Sequence, residues 1–340
     1  MPFSEIVGHR SLLTLVSRAL ARDSLPPSLL FTGPEGVGKC LAVQAIAQAM
    51  NCPTPRVGDD DESFAIDGCG NCGVCSRIER GIFPDVLSVE PNDNNEILAP
   101  DVRPVLDQCS YRLFEGRRRI VVIDHAELMN DVAQSSLLKT LEEPPSATQF
   151  VLVTARPDML VDTVRSRCSQ LRFGYLTVDD IVAVLTQRHD VEERAARPAA
   201  VTSGGSAGRA LIAASGELAT SRGAALELLD EVSTTRDARG RLEGAKSFTP
   251  PGKLPLAAIR KELRLRLMAL TSLLRDIEVI AARARVPLAN ADLEQPLKRL
   301  AGAFADGRSR RAFSTIDEAI NAIDRNASPK VVVDWVACQL

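Results

Sequence analysis

The stretch Ser28-Leu29-Leu30-Phe31-Thr32-Gly33-Pro34-Glu35-Gly36-Val37-Gly38-Lys39-Cys40 decides the reading of the fold. It opens with a short apolar run, of the kind that forms a strand buried on both faces, and the run stops at Gly33-Pro34. From Lys39 to Met50 the residues Leu41, Ala45, Ile46 and Ala49 recur at helical spacing. A strand, a glycine-rich loop and a helix together form the context a phosphate-binding P-loop requires. The loop N–H groups and the helix N-terminus face phosphate oxygens, and the lysine adds a point charge. Gly33, Gly36, Val37, Gly38, Lys39 and Cys40 are therefore candidate nucleotide-binding residues, the alternative being a glycine-rich turn with no ligand. Cys40 stands where such loops carry Ser or Thr. Mg²⁺ prefers hard oxygen ligands and a thiol is a poor substitute, so ATP with Mg²⁺ can bind here while hydrolysis is handicapped.

Further short runs predict strands at Val86–Val89, Arg119–Ile123, Phe150–Thr154 and Gln170–Phe173. Helical stretches at Val102–Cys109 and Ala133–Leu141 lie between them. Strands alternating with helices imply a parallel sheet covered on both faces. The third strand runs into Asp124, an acid placed to serve a nucleotide-bound metal or simply to cap the chain that follows; His125 comes next and Glu127 two positions later. In hydrolytic P-loop proteins a Glu at the position of His125 polarises water, and an imidazole differs from it in reach. After about Gly174 strand signals stop. Thr177-Val178-Asp179-Asp180 reads as a helix start, and short helices follow. The polar stretch 233–252 reads as a linker, and beyond it Leu263, Leu267, Leu270, Leu274 and Ile277 share one helical face.

Cys52, Cys69, Cys72 and Cys75 form C-x16-C-x2-C-x2-C, two overlapping knuckles and a fourth thiolate. That set suits a tetrahedral, structural zinc ion; an iron–sulfur cluster or redox cysteines are the alternatives. All 340 residues contain three histidines, none at ligand spacing from another, which excludes His-rich metal catalysis. Eight cysteines, four of them scattered, do not make a disulfide framework in a chain this long. Hydrophobic residues at 45% and charged residues at 25% describe a globular protein of two or three domains. The net charge of -3 and 4% aromatic content argue against a nucleic-acid-binding module built on stacking. The last 90 residues carry 15 basic and 10 acidic groups, which decorate a helical domain without requiring DNA contacts. No apolar run spans a membrane and the N-terminus lacks signal-peptide features, so a cytoplasmic protein is expected.

In their order along the chain, these motifs resemble the clamp-loader branch of the AAA+ ATPases, specifically bacterial DNA polymerase III clamp-loader subunits. The zinc-type insert follows the P-loop helix. Phe83-Pro84-Asp85, the acidic strand end, the block Leu137-Leu138-Lys139-Thr140-Leu141-Glu142-Glu143-Pro144-Pro145 and the triplet Ser166-Arg167-Cys168 come after it. The resemblance covers residues 1 to about 215 by motif. It implies an AAA+ P-loop domain at 1–174 with a five-stranded parallel sheet and a zinc module at 52–75. A helical lid at 175–232, a linker at 233–252 and an all-α collar domain at 253–340 would follow. Cys40 and His125 fit the stator, or delta-prime, type rather than the ATP-hydrolysing gamma/tau motor, which carries Ser or Thr and Glu there. The absence of a long Pro-rich basic extension after Leu340 points the same way. Arg167 would be an arginine finger acting in a neighbouring subunit, Arg209 would occupy the sensor-2 position and Thr154 would stand near sensor-1. The implied partners are gamma/tau and delta subunits in a hetero-pentamer, with the sliding clamp and primed DNA reached through the complex. The outside alternatives are an independent P-loop motor and a zinc-dependent nucleic-acid-binding module with a vestigial P-loop.

Overall fold

The computed structural model describes residues 1–58, 63–92, 94–215, 217–235, 237–250, 255–304 and 307–340. The acidic stretch 59–62 and the end of the expected linker, 251–252, lie outside the described residues. The chain divides into two compact units. The first is Met1–Val184 with Gly205–Gly208, and the second is Leu185–Gly204 with Arg209–Leu340. Among the described residues no helix is long and apolar enough to cross a membrane.

In the first unit the elements follow as α1 (Arg10–Ala21), β1 (Ser28–Thr32), α2 (Lys39–Asn51), β2 (Arg56–Val57), β3 (Ile66–Asp67), α3 (Gly73–Glu79), β4 (Val86–Val89), α4 (Ala99–Gln108), β5 (Arg119–Ile123), α5 (Asp131–Glu142), β6 (Thr148–Thr154), α6 (Asp162–Arg165) and β7 (Ser169–Arg172). Five strands form one parallel sheet in the order β4-β5-β6-β1-β7, the α/β architecture expected from the sequence. Every residue of β1 and β6 is buried, because helices cover both faces. Successive residues then serve opposite layers: Leu29, Phe31, Val151 and Val153 pack with α1 and α2, while Leu30, Phe150 and Leu152 pack with α4 and α5. β6 starts two residues earlier than its apolar run, because Thr148 and Gln149 pair with Arg119 and Ile120. The two-residue antiparallel pair β2–β3 gave no periodic signal at all.

Local chemistry fixes the helix starts. Asn130 accepts from Ala133 N (2.8 Å) ahead of α5. Thr177 Oγ1 accepts from Asp180 N (3.1 Å) while Thr177 N donates to Asp180 Oδ2 (3.2 Å), the reciprocal cap that opens α7 (Val178–His189).

The second unit is helical, with α8 (Glu193–Thr202), α9 (Ala207–Ala214), which begins in the first unit, α10 (Glu217–Thr234), α11 (Ala238–Phe248), α12 (Leu256–Ala281), α13 (Glu294–Ala301), α14 (Arg308–Asp324) and α15 (Pro329–Gln339). Leu263, Leu267, Leu270, Leu274 and Ile277 of α12 are fully buried, as their shared face predicts. Around them pack Leu228 and Leu229 of α10, Leu297 of α13, Ile316 of α14 and Val333 of α15. The stretch expected to be a linker differs. Asp237 caps α11 through Gly240 N (3.1 Å), and Ala245 and Phe248, three residues apart, are buried in this same core. Two apolar anchors suffice to hold a helix whose other faces are polar.

Asp85, fully buried, ties the first unit together. Its carboxylate accepts from Phe114 N (3.0 Å), Glu115 N (2.9 Å) and Gly116 N (2.7 Å), and faces Arg119 Nη2 at 3.4 Å. Asn51 Oδ1 accepts from Arg117 N and Arg118 N beside it. Burial alone would raise the Asp85 pKa, but these three N–H donors and Arg119 hold it below its ordinary 3.8. A lowered carboxylate pKa adds stability above the unfolded value, and that stability is lost as the pH falls through the folded one. Asp85→Ala, which leaves Arg119 without its buried acid, is expected to destabilise the protein by about 3–5 kcal/mol, read by denaturant unfolding at pH 7. The penalty should shrink as the pH is lowered below about 4, where the wild type loses the same charge.

Candidate functional site

The loop between β1 and α2 is shaped by close approaches. A side chain at Gly33 (φ +141°) would start 2.2 Å from the Phe173 carbonyl oxygen, and one at Gly36 (φ +70°) would strike Ser206 Oγ at 2.6 Å. Gly208 N donates to Gly36 O (3.0 Å) and Ser206 Oγ donates to Glu35 O (2.8 Å), so a second segment of the first unit straps the loop. His9 Nε2 lies 3.0 Å from Val37 O. Lys39 is buried and donates to Gly33 O (2.6 Å) and Pro34 O (2.7 Å), the carbonyls of its own loop. Burial lowers its pKa, opposed by Glu127, Glu35 and Asp124 nearby. Cys40 keeps an exposed edge, yet the protein atoms crowding its thiol, together with the Asp124 carboxylate, push its pKa up to about 12. At neutral pH it is a protonated thiol, a weak metal ligand.

Asp124 follows β5, and its Oδ1 accepts from His125 N (2.9 Å). His125 sits in the left-handed region (φ +49°), and the Glu127 carboxylate, with His125 Nδ1 3.8 Å from Oε1, raises its pKa. Thr154, at the end of β6, is buried and its Oγ1 accepts from Arg156 N (2.9 Å). The residues read as nucleotide-binding in the first unit, Gly33, Gly36, Val37, Gly38, Lys39, Cys40 and Asp124, thus meet at one edge of the sheet. Arg209 belongs to the second unit, on α9.

Cys52, Cys69, Cys72 and Cys75 converge, their sulfurs all within 4.8 Å of one another. The Cys52–Cys72 and Cys69–Cys75 sulfur pairs are each 3.9 Å apart. A tetrahedral site with Zn–S bonds of about 2.3 Å has sulfur–sulfur edges of about 3.8 Å, so the set fits a four-thiolate metal site. Backbone N–H groups of Cys69, Cys72 and Cys75 donate to the sulfurs of Cys52, Cys69 and Cys72. Gln48 Nε2 donates to Cys75 O (2.9 Å), fastening the insert to α2, and Asp67 fixes the N-terminus by accepting from Phe3 N (2.7 Å) and Ser4 N (2.9 Å).

Arg167 follows α6 and is half-buried. It donates to Thr163 O (2.8 Å) and pairs with Glu142, from the Leu-Glu-Glu-Pro-Pro block. Its neighbour Cys168 is buried among the side chains that pack on the α4–α5 face of the sheet, and burial pushes its thiol up to about 11. The sequence marked Arg167 only through the family resemblance and did not reveal the Glu142 pair, which joins residues 25 apart. Nor did it reveal the role of Ser206 and Gly208, which no motif marks, or the meeting of Glu35 with His125 and Glu127.

A family model described as DNA polymerase III, delta subunit matches residues 8–177, half of the chain. The chain is 32% identical over 190 residues to DNA polymerase III subunit tau of Salmonella typhimurium, a match covering 56% of this chain and 27% of that protein. It is 29% identical over 191 residues to subunit tau of Bacillus subtilis, covering 56% of this chain and 32% of that one. The matches therefore span about a quarter to a third of the length of these relatives. Among solved structures, a DNA polymerase III gamma subunit-related protein from Thermotoga maritima superposes over 96% of this chain and 98% of its own, at 16% identity and a TM-score of 0.43, a loose likeness. With the family match extending from α1 across the P-loop, the cysteine insert and all five strands of the parallel sheet, the chain belongs to the DNA polymerase III delta subunit family.

Proposed function

We propose that this chain is a clamp-loader subunit of the DNA polymerase III holoenzyme, of the delta-prime or stator type. It helps load the sliding clamp onto primed DNA within a hetero-pentamer of gamma/tau and delta subunits. The observation that carries this reading is a P-loop kept in shape while its chemistry has changed. The strand, the glycines and the strapped loop remain, but Cys40 replaces the metal-binding hydroxyl and His125 the water-polarising carboxylate. Its own nucleotide site, Gly33, Gly36, Val37, Gly38, Lys39, Cys40 and Asp124, then holds nucleotide weakly at most. The relatives named tau and gamma keep an ATP-hydrolysing motor as the second reading, against which both substitutions weigh.

The role left to such a subunit is to act on its neighbour, and Arg167 is the residue proposed to do so. Its pair with Glu142 joins partly exposed side chains and is worth about 0–1 kcal/mol, so the guanidinium can exchange a carboxylate for phosphate oxygens at small cost. Arg167→Ala is expected to leave folding and assembly nearly intact. In a loader reconstituted with its partner subunits it should cut DNA-stimulated ATPase by about a thousandfold at any site completed by this arginine. Arg167→Lys should rescue poorly, since an ammonium lacks the two-pronged geometry. ATPase and clamp loading unchanged from wild type would remove the trans-acting role.

In this reading the four cysteines hold a structural zinc. With no open position in a four-thiolate shell, the ion would supply folding energy to the insert rather than catalysis. Elemental analysis of gently purified protein is expected to find about one zinc per chain. Cys72→Ser should lower that content and make residues 52–75 sensitive to protease, while the sheet stays folded.

A further inference from the structure

Outside the cysteine cluster, one other group of potential ligands converges among the described residues. Glu35 of the strapped loop, His125 after β5 and Glu127 place one ligand atom each within 4.8 Å of one another. The first comes from the loop after β1 and the other two from the loop after β5, so the sheet, not local sequence, brings them together.

An acidic cluster alone would carry little, but Glu127 adds a second observation. Its side chain is only 1% exposed, and its Oε2 has no hydrogen-bond partner among the described residues. Oε1 is served by protein groups, accepting from Ala155 N (3.5 Å) with His125 Nδ1 3.8 Å away, and the Thr154 hydroxyl also bonds the carboxylate, so Oε2 is the buried acceptor with no donor of its own. Lys39 does not supply one, since its ammonium is held by Gly33 O and Pro34 O. Three carboxylates, Glu35, Asp124 and Glu127, lie near enough to that ammonium to act on it electrostatically.

We propose that Glu35, His125 and Glu127 bind a divalent transition-metal ion, distinct from the four-cysteine site. Two carboxylates and one imidazole suit Zn²⁺, Mn²⁺ or Co²⁺, whereas Mg²⁺ favours an all-oxygen shell. Bond lengths of about 2.0–2.2 Å bring the ligand atoms of one shell to within about 3–4.4 Å of each other, and the three groups, all within 4.8 Å with His125 Nδ1 3.8 Å from Glu127 Oε1, would draw inward to close on an ion. Three protein ligands leave coordination positions for water or an anion. The set uses neither Cys40 nor Asp124, and His125, the residue that weakens the hydrolytic reading, becomes a ligand. This inference concerns the first unit's own side chains and does not depend on the clamp-loader reading.

The test is Co²⁺ binding by the full chain, its cysteine site filled beforehand with Zn²⁺, followed by equilibrium dialysis and visible spectroscopy. The expected result is one further equivalent of Co²⁺ with the weak bands of nitrogen and oxygen ligation and no thiolate-to-cobalt charge transfer. His125→Asn, which tolerates the left-handed backbone, and Glu127→Gln are each expected to weaken it on the order of tenfold or more, with unchanged thermal unfolding of the metal-free site. Should Glu127→Gln not fold, Glu35→Gln, from the solvent-accessible loop, gives the same reading. No second equivalent, equal binding by the variants, or a spectrum of thiolate ligation would overturn the proposal.

Discussion

Parallel pairing is the constraint on which the rest of the first unit depends. Because β4, β5, β6, β1 and β7 all run the same way, their C-terminal ends fall on one edge, and the loops that leave them must share that edge. The glycine-rich loop leaves β1, Asp124 and His125 leave β5, and Thr154 ends β6. Phe173 N donates to Thr32 O (2.8 Å), extending the β1–β7 pairing one step and bringing the Phe173 carbonyl over Gly33. Glycine there is a steric requirement of the sheet before it is a requirement of any ligand.

That distinction separates the shape of the loop from any chemistry performed on it. The backbone shape is held by contacts internal to the unit: Phe173 over Gly33, Ser206 and Gly208 against Glu35 and Gly36, and Lys39 on the loop carbonyls. None of these involves the side chains of Cys40 or His125. The Cys40 side chain can therefore vary without unfolding the loop, whereas His125, at φ +49°, is limited to residues that tolerate the left-handed backbone. The cysteine insert is similarly self-sufficient, fastened through Gln48 and Asp67 rather than through the sheet edge.

Much of this was legible in the sequence because it is local. The strand at 28–32, the loop after it, the cap at Thr177 and the buried face of α12 are set by residues within a few positions of each other. The cysteine spacing announced its cluster for the same reason. What escaped was either too short to show a period, as with β2 and β3, or created by topology, as with Glu35 meeting His125 and Glu127, and Arg167 meeting Glu142. The segment 238–248 failed differently: polar composition outweighed two apolar anchors, Ala245 and Phe248, whose burial only the folded helical core reveals.

The proposed stator role requires that the loop between β1 and α2 not drive hydrolysis on its own. The most direct measurement is ATP turnover by the purified isolated chain with Mg²⁺, set beside a Lys39→Ala variant to remove contaminating activity. The account predicts that wild type and variant are indistinguishable from background. Robust turnover by the wild type that Lys39→Ala abolishes would contradict it and identify the chain as a motor.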